Sequence, residues 1–320
     1  MDYSFFKKIK RYSLKERKSK VELSFHGKAY ERGSLFTDFI DTLPDILGAK
    51  ELKAAAMAIV MARQAHRPVI LGMGAHPIKT GLSPIIIDLM ESSIITGLAT
   101  NGASTVHDFE LAYGGATSEE VGEHLSSGLF GMALETGVYL NDAIKEGVKK
   151  GFGLGRSVGG FIQMDDRFPY KDMSIFAASY RVSIPLTVHV AIGTDIIHMH
   201  PEADGASIGE GSLRDFYTLT EEVCKLEGGV FINLGSAVII PEVFLKAINL
   251  ARNTGHTVER FTAINMDFIK QYRAQVNVLH RPTGGGGRAI NLTGHHEIMF
   301  PLLAALVKEQ LYLNKNGLQK

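Results

Sequence analysis

Apolar positions along this chain alternate between two patterns. Short continuous apolar runs closed by glycine or small polar residues are separated by stretches in which apolar residues recur every three to four positions. Over residues 49–66, Leu52, Ala56, Ile59, Val60 and Arg63 keep helical spacing with few breakers, which predicts an amphipathic helix. It leads into a predicted strand, residues 68–72, and then a helix over 82–90, where Pro84 is tolerable in the first turn. A second strand is predicted over 94–100 and a helix over 106–113. Further strands are expected at 186–190, 229–233 and 261–265, with helices at 213–226, 242–252 and 300–311. Continuous apolar strands between helices need cover on both faces, so the expected fold is α/β: a Rossmann-like, mostly parallel sheet with helices on both faces. Residues 117–167, rich in glycine, are expected to form a helical insertion.

Nothing repeats at a solenoid period and no low-complexity linker cuts the chain. The expected organisation is a basic N-terminal arm, residues 1–33, followed by one domain, 34–320. The arm carries Lys7, Lys8, Lys10, Arg11, Lys15, Arg17, Lys18 and Lys20. Two readings of it stay open: contact with an acidic partner or neighbouring subunit, and a frayed, solvated helix.

Charge adds an exclusion. Lys+Arg 34 balance Asp+Glu 34, so no global field draws the chain to nucleic acid or an anionic membrane, and a small-molecule partner is expected. The single cysteine, Cys224, excludes an internal disulfide and a cysteine-rich zinc site, in keeping with a reducing compartment. With no apolar run of the roughly 18 residues that a spanning helix needs, and no apolar signal core, the expected location is the cytoplasm.

Ligands of open α/β sheets bind outside the carboxyl ends of the strands, so the residues just after each apolar run are the informative ones. Here they are Gly74, Ala75 and His76; Thr100, Asn101, Gly102 and Ala103; Gly193, Thr194 and Asp195; and Gly235 and Ser236. Glycine lets backbone approach a phosphate, and a following helix N-terminus offers free N–H groups to its charge. Asp108 and Glu110 in the next helix are either helix-start residues or an acidic cluster that accepts ribose hydroxyls or anchors a cationic substrate, and Asp267, near Asn265 at another strand end, carries the same readings. The segment Gly151 to Gly155 has no apolar strand before it and is read as turn packing. Gly284 to Gly287, between Arg281 and Arg288, is expected to be a ligand-covering or phosphate-contacting loop. His198, His200 and Asp204, with His295 and His296, have the residue types of a metal site, but no third ligand is fixed by spacing. They are read as hydrogen-bonding and proton-transfer groups, with no metal assigned.

These segments resemble deoxyhypusine synthase. Thr100 to Ala103 with the acidic stretch after it is similar to that family's Thr-Ala-Gly-Gly turn and trailing glutamates. Residues 204–209 resemble its Thr-Asp-Gly-Ser-Leu-Gly segment, 233–236 its Leu-Gly-Gly-Gly loop, and 300–303 its Phe-Pro-Leu-Leu helix start. The resemblance implies a deoxyhypusine synthase-like NAD-binding fold, NAD as cofactor, and a homo-oligomer, dimer or tetramer. It implies that Gly74, Ala75, His76, Thr100, Asn101, Gly102, Ala103, Asp108, Glu110, Gly235 and Ser236 lie at the cofactor, to which the strand-end positions add Asn265 and Asp267, and that Asp204 lies at the active site; His198, His200, His295 and His296 are assigned to the same catalytic pocket from their residue types. The family's Glu-Ala-Val-Ser-Trp-Gly-Lys stretch, whose lysine carries the transferred group, has no counterpart between Gly287 and His295, and the chain has Trp 0. The expectation is therefore an NAD-dependent enzyme that abstracts hydride from a small amine or amino acid, with possible amine or alkyl transfer, distinct from deoxyhypusine synthase itself. Two rivals stand beside it: a metal-dependent hydrolase built on His198, His200, Asp204 and His295, and a non-catalytic nucleotide-binding protein.

Overall fold

The apolar runs become strands because each is buried on both faces. In the computed structural model, which describes residues 3–317, six strands make one parallel sheet: β1 (Val69–Met73), β2 (Gly97–Asn101), β3 (Leu186–His189), β4 (Val230–Leu234), β5 (Thr262–Asp267) and β6 (Arg288–Thr293). Their order is β3-β2-β1-β4-β5-β6, with every neighbouring pair parallel. Chain order reverses between β1 and β4, the switch point at which a crevice opens beyond the carboxyl ends of the strands.

The helices are α1 (Phe36–Thr42), α2 (Leu47–Gln64), α3 (His76–Lys79), α4 (Ser83–Glu91), α5 (Gly102–Gly114), α6 (Val121–Leu125), α7 (Leu134–Lys149), α8 (Leu154–Met164), α9 (Ile175–Arg181), α10 (Gly205–Cys224), α11 (Ile239–Asn253), the short α12 (Arg281–Thr283) and α13 (His296–Lys315). A π-helical segment, Ala274–His280, precedes α12. One face of the sheet packs Ile59, Leu89, Phe300, Leu303 and Val307 of α2, α4 and α13 against Val69 and Ile232. The other sets Leu219, Val223, Phe244, Ile248 and Val278 of α10, α11 and the π-helical segment against Ile70, Ala99, Phe231 and Ala263. The expected insertion is helical, as α6, α7 and α8.

Two strands depart from the pattern that the sequence suggests. β2 begins at Gly97 and not at residue 94, because Ser93 turns the chain at φ 56° and Thr96 Oγ1 is tied to the backbone of Val69, accepting from its N–H at 3.0 Å and donating to its carbonyl at 3.2 Å. β6 is an edge strand exposed along much of its length, so it lacks a continuous apolar run. Its presence also relocates the glycine run. Arg288 pairs with Thr262 at the amino ends of β6 and β5, so Gly284 to Gly287 turn at the end of the sheet opposite the crevice. The expectation of a phosphate-contacting loop there is corrected. These glycines serve a turn in which Gly286 has φ 117° and a Cβ on Gly287 would press on the Phe261 carbonyl at 2.8 Å.

The chain divides into two compact units, Met1–Lys50 and Glu51–Lys320. Within the first, short 3₁₀ turns at Ser4–Lys8, Leu14–Glu16 and Leu23–Phe25 precede α1, and Lys28 N–H donates to the Thr42 carbonyl at 2.8 Å. The basic residues of the arm are exposed, as are Tyr3, Phe5, Phe6 and Tyr12. Among the described residues, no helix is long and apolar enough to cross a membrane.

Candidate functional site

At the switch point the ends of β1 and β4 meet backbone to backbone. Gly74 N–H donates to the Leu234 carbonyl at 3.1 Å, and a Cβ on Gly74 would stand 2.9 Å from the Gly235 carbonyl oxygen. Gly235 adopts φ 67°, in the left-handed region, and a side chain there would overlap the His296 ring. His296 opens α13 and is 1% exposed. Its Nε2 lies 3.9 Å from Asp267 Oδ1, and the rings of His76 and Phe268 flank it at 5.3 and 5.9 Å between centroids. Neither ring nitrogen of His296 makes a hydrogen bond. Desolvation lowers its pKa, opposed in part by the nearby Asp267 carboxylate and Met266 carbonyl and reinforced by His76. The ring is thus held toward the neutral form, with one donor and one acceptor, both buried and neither in a well-formed hydrogen bond, although the Met266 carbonyl lies near enough to act on it.

The ends of β2 and β3 form the adjoining part of the crevice. Thr100 Oγ1 donates to the Met73 carbonyl at 3.1 Å, and Asn101 Oδ1 caps α5 by accepting from Ser104 N–H at 3.1 Å. The Asp195 carboxylate occupies the space that a side chain on Gly102 would need. His198 Nδ1 accepts from the N–H groups of Gly193 at 3.1 Å and Asp195 at 3.3 Å, which leaves the ring proton on Nε2. That Nε2 faces Asp195 Oδ2 at 3.9 Å, and neither atom has a hydrogen-bond partner. Burial pushes the Asp195 carboxyl up to about 6 and lowers His198.

The other candidate residues are spread more widely. His200 Nε2 bonds the Gly131 carbonyl at 2.8 Å with its ring against Gly137, which braces the loop before α7. Asp204 is the N-cap of α10, accepting from Ser207 N–H at 3.1 Å and Ala206 N–H at 3.3 Å, and its bonds to Ser207 hold its pKa below the usual range. His295 is exposed beside Glu297, 3.7 Å away. Asp108 points to the start of α9, accepting from Ser174 Oγ and from Ile175 N–H at 2.8 Å. Glu110 binds the hydroxyls of Thr117 at 2.5 Å and Thr136 at 3.2 Å, and Thr117 also meets His107 Nδ1 at 2.7 Å. Ser236 Oγ accepts from Ile240 N–H at 3.2 Å in the first turn of α11, and Ala75 and Ala103 lie in the loop and helix start beside their neighbours. Asn265 belongs to a buried ladder across three strands: Asn233 Nδ2 donates to Asn265 Oδ1 at 2.8 Å, and Asn265 Nδ2 donates to Asn291 Oδ1 at 3.0 Å. Asn233 also donates to the Ser236 carbonyl at 3.0 Å, so the ladder fixes the ends of β4 and β5 around the crevice. Among the described residues, no group of three or more His, Cys, Asp or Glu side chains is placed to hold a metal ion, so His198, His200, Asp204 and His295 do not gather as ligands.

Sequence reasoning placed Asp195 among the loop positions after the strands without giving it a role, and did not select Phe268. Asp195 had one visible signal, as the first acid after the third apolar run; Phe268, next to Asp267, had none.

No protein-family model and no curated protein matches the chain. Solved structures do. AgrE in its ternary complex with ornithine and NAD+ superposes with TM-score 0.50 and 14% identity over 81% of this chain and 32% of its own. A conserved LOR/SDH protein from Methanococcus maripaludis S2 gives 0.51 and 14%, over 92% of this chain and 75% of its own. A protein from Entamoeba histolytica described as a deoxyhypusine synthase gives 0.52 and 13%, over 87% of this chain and 96% of its own. The fold is deoxyhypusine synthase-like. Of these, AgrE was solved with ornithine and NAD+ bound, and this chain spans about a third of its length.

The small residues at the switch point are compatible with a dinucleotide laid across the strand ends. Gly74 and Gly235 bring the ends of β1 and β4 backbone to backbone, and the His296 ring, with both nitrogens buried, fills the space that a side chain on Gly235 would need.

Proposed function

We propose that the chain is an NAD-dependent enzyme that removes hydride from a small amine or amino acid, with the dinucleotide across the crevice between β1 and β4. The observation that carries this reading is His296, a neutral imidazole at the switch point with both nitrogens buried and unpartnered. An unmet buried donor and acceptor cost on the order of 1–3 kcal/mol each, a cost that an incoming ligand relieves.

Ala75, His76 and Ser236 would hold the phosphates through backbone N–H groups, those of Gly74 and Gly235 being given to the Leu234 and Met266 carbonyls, and Asp267 offers a carboxylate to a ribose hydroxyl. Bound NAD supplies a hydride acceptor. His296 takes up the proton that the substrate sheds, at whichever ring nitrogen carries the lone pair, and Asp267 at 3.9 Å then favours the imidazolium. The desolvated walls strengthen both interactions. The ornithine present with NAD+ in the AgrE complex supports an amino-acid or amine substrate. Deoxyhypusine synthesis itself is disfavoured, because the residues between Gly287 and His295 are taken up by β6, paired to β5, with no lysine among them.

The test is calorimetric titration with NAD, followed by reduced-nicotinamide absorbance against ornithine, lysine and polyamines. Micromolar or tighter binding with absorbance growth on one of these amines is the expected result. A chain that binds no NAD overturns the reading.

A further inference from the structure

The two halves of the sheet carry matching arrangements at their carboxyl ends. In one, His296 Nε2 stands 3.9 Å from Asp267 Oδ1 beside Gly235; in the other, His198 Nε2 stands 3.9 Å from Asp195 Oδ2 beside Gly102. The second pair is the more fully defined. With Nδ1 of His198 accepting two backbone N–H groups, Nε2 must donate. Asp195 Oδ2, as a carboxylate oxygen, accepts. The two side chains are 5% and 6% exposed, and neither of these facing atoms has a partner.

A gap of 3.9 Å is too long for a direct hydrogen bond, so donor and acceptor face each other without engaging. A ligand group that engages both must accept from His198 and donate to Asp195. A hydroxyl does both, whereas phosphate or carboxylate only accepts and ammonium only donates. The surroundings are built for this. The Asp195 carboxylate lies against the first residue of the 13-residue helix α5, whose positive end partly offsets the burial of a charge, and the absent side chain of Gly102 makes that approach possible.

We propose that Asp195 and His198 form a hydroxyl-recognition subsite at the carboxyl ends of β2 and β3, which takes an alcohol or sugar hydroxyl of a ligand seated in the crevice. The hydroxyl has two sources: a ribose of the dinucleotide, in which case the inference rests on the NAD reading, or an alcohol on the small substrate, in which case it does not.

The experiment is calorimetric titration of the full chain, as wild type, Asp195→Asn and His198→Phe, with probes that differ by one hydroxyl. These are NAD against its 2′-deoxy and 3′-deoxy analogues, and serine and homoserine against alanine and 2-aminobutyrate. The wild type should prefer the hydroxylated member of one set by about 10- to 100-fold, the range of a hydrogen bond to a charged group. His198→Phe should erase that preference while leaving affinity for the deoxy member unchanged. Preference within the NAD set assigns the hydroxyl to the nucleotide, and preference within the amino-acid set assigns it to the substrate. Binding of NAD without preference in either set overturns the subsite and leaves the NAD reading standing. Preference for serine or homoserine without NAD binding sinks the NAD reading and keeps the subsite. No binding of any probe, or a preference that persists in both variants, overturns the subsite.

Discussion

His296 Nε2 and Asp267 Oδ1 stand 3.9 Å apart with side chains only 1% and 4% exposed, close enough to feel each other's charge and too far apart to bond. A site arranged for stability alone would not leave both polar groups of a buried imidazole unmet. His296→Leu replaces the ring with an apolar group of comparable size. The melting temperature should hold or rise, by up to about 1–3 kcal/mol in stability, while NAD-linked turnover disappears. Thermal melting and reduced-nicotinamide absorbance measure the two. A loss of several kcal/mol would mean that the ring nitrogens are already satisfied.

Gly235 combines a left-handed backbone with direct approach to that ring. Gly235→Ala should cost about 1–2 kcal/mol for the backbone alone, with more from overlap with His296, and should weaken NAD binding through the displaced ring. Calorimetry on the folded variant reads the second effect, and wild-type affinity would argue against a dinucleotide at the switch point.

The glycine run provides the contrast. A Cβ on Gly285 meets only Glu259, at 3.6 Å, on an exposed turn at the far end of the sheet. Gly285→Ala should therefore change stability by no more than about 0.5 kcal/mol and leave NAD affinity untouched. A fall in affinity would restore the phosphate-loop reading.

Asp215 is 3% exposed, and burial pushes its carboxyl up to about 7, against bonds from backbone N–H groups that pull it down. The folded chain therefore keeps a proton that the unfolded chain releases near 3.8. Its stabilising contribution is full below that lower value and is lost as the pH rises through about 7. Asp108 and Asp195, raised to about 6, act in the same direction. His189, held down to about 3, and His107, held down to about 4, act oppositely: their contributions are present above 6.5 and lost as the pH falls through those values. Asp215→Asn should flatten the decline in melting temperature between pH 4 and pH 7. An unchanged profile would show that the carboxyl titrates normally.

The sheet was readable where burial is complete. The strands around Ile70, Val188, Phe231 and Ala263 are covered on both faces, so their apolar runs are unbroken. β6 was not, because it lies largely exposed: Arg288, Ala289 and Thr293 face solvent, and Arg288, Asn291 and Thr293 interrupt any apolar run. The candidate site was legible only as a set of loop positions, where glycines and small polar residues follow β1, β2 and β4. The sequence could not rank its acids and imidazoles by depth. His295 and His296 are neighbours, yet the start of α13 leaves one exposed and buries the other. Asp195 and Asp204 both precede helical turns, and only the packing distinguishes the cap of α10 from the carboxylate held against α5.

The sheet ends at β3, where helix side chains take the place of a further strand. Asp215 accepts the Val188 N–H at 2.8 Å, and Ser212 Oγ accepts from Val190 N–H at 3.3 Å and donates to the Val188 carbonyl at 3.1 Å. An extended segment from another molecule would find these backbone groups already engaged, and would have to displace a buried carboxylate to add itself to the sheet. On this side the protein is guarded against edge-to-edge aggregation by two side chains of α10.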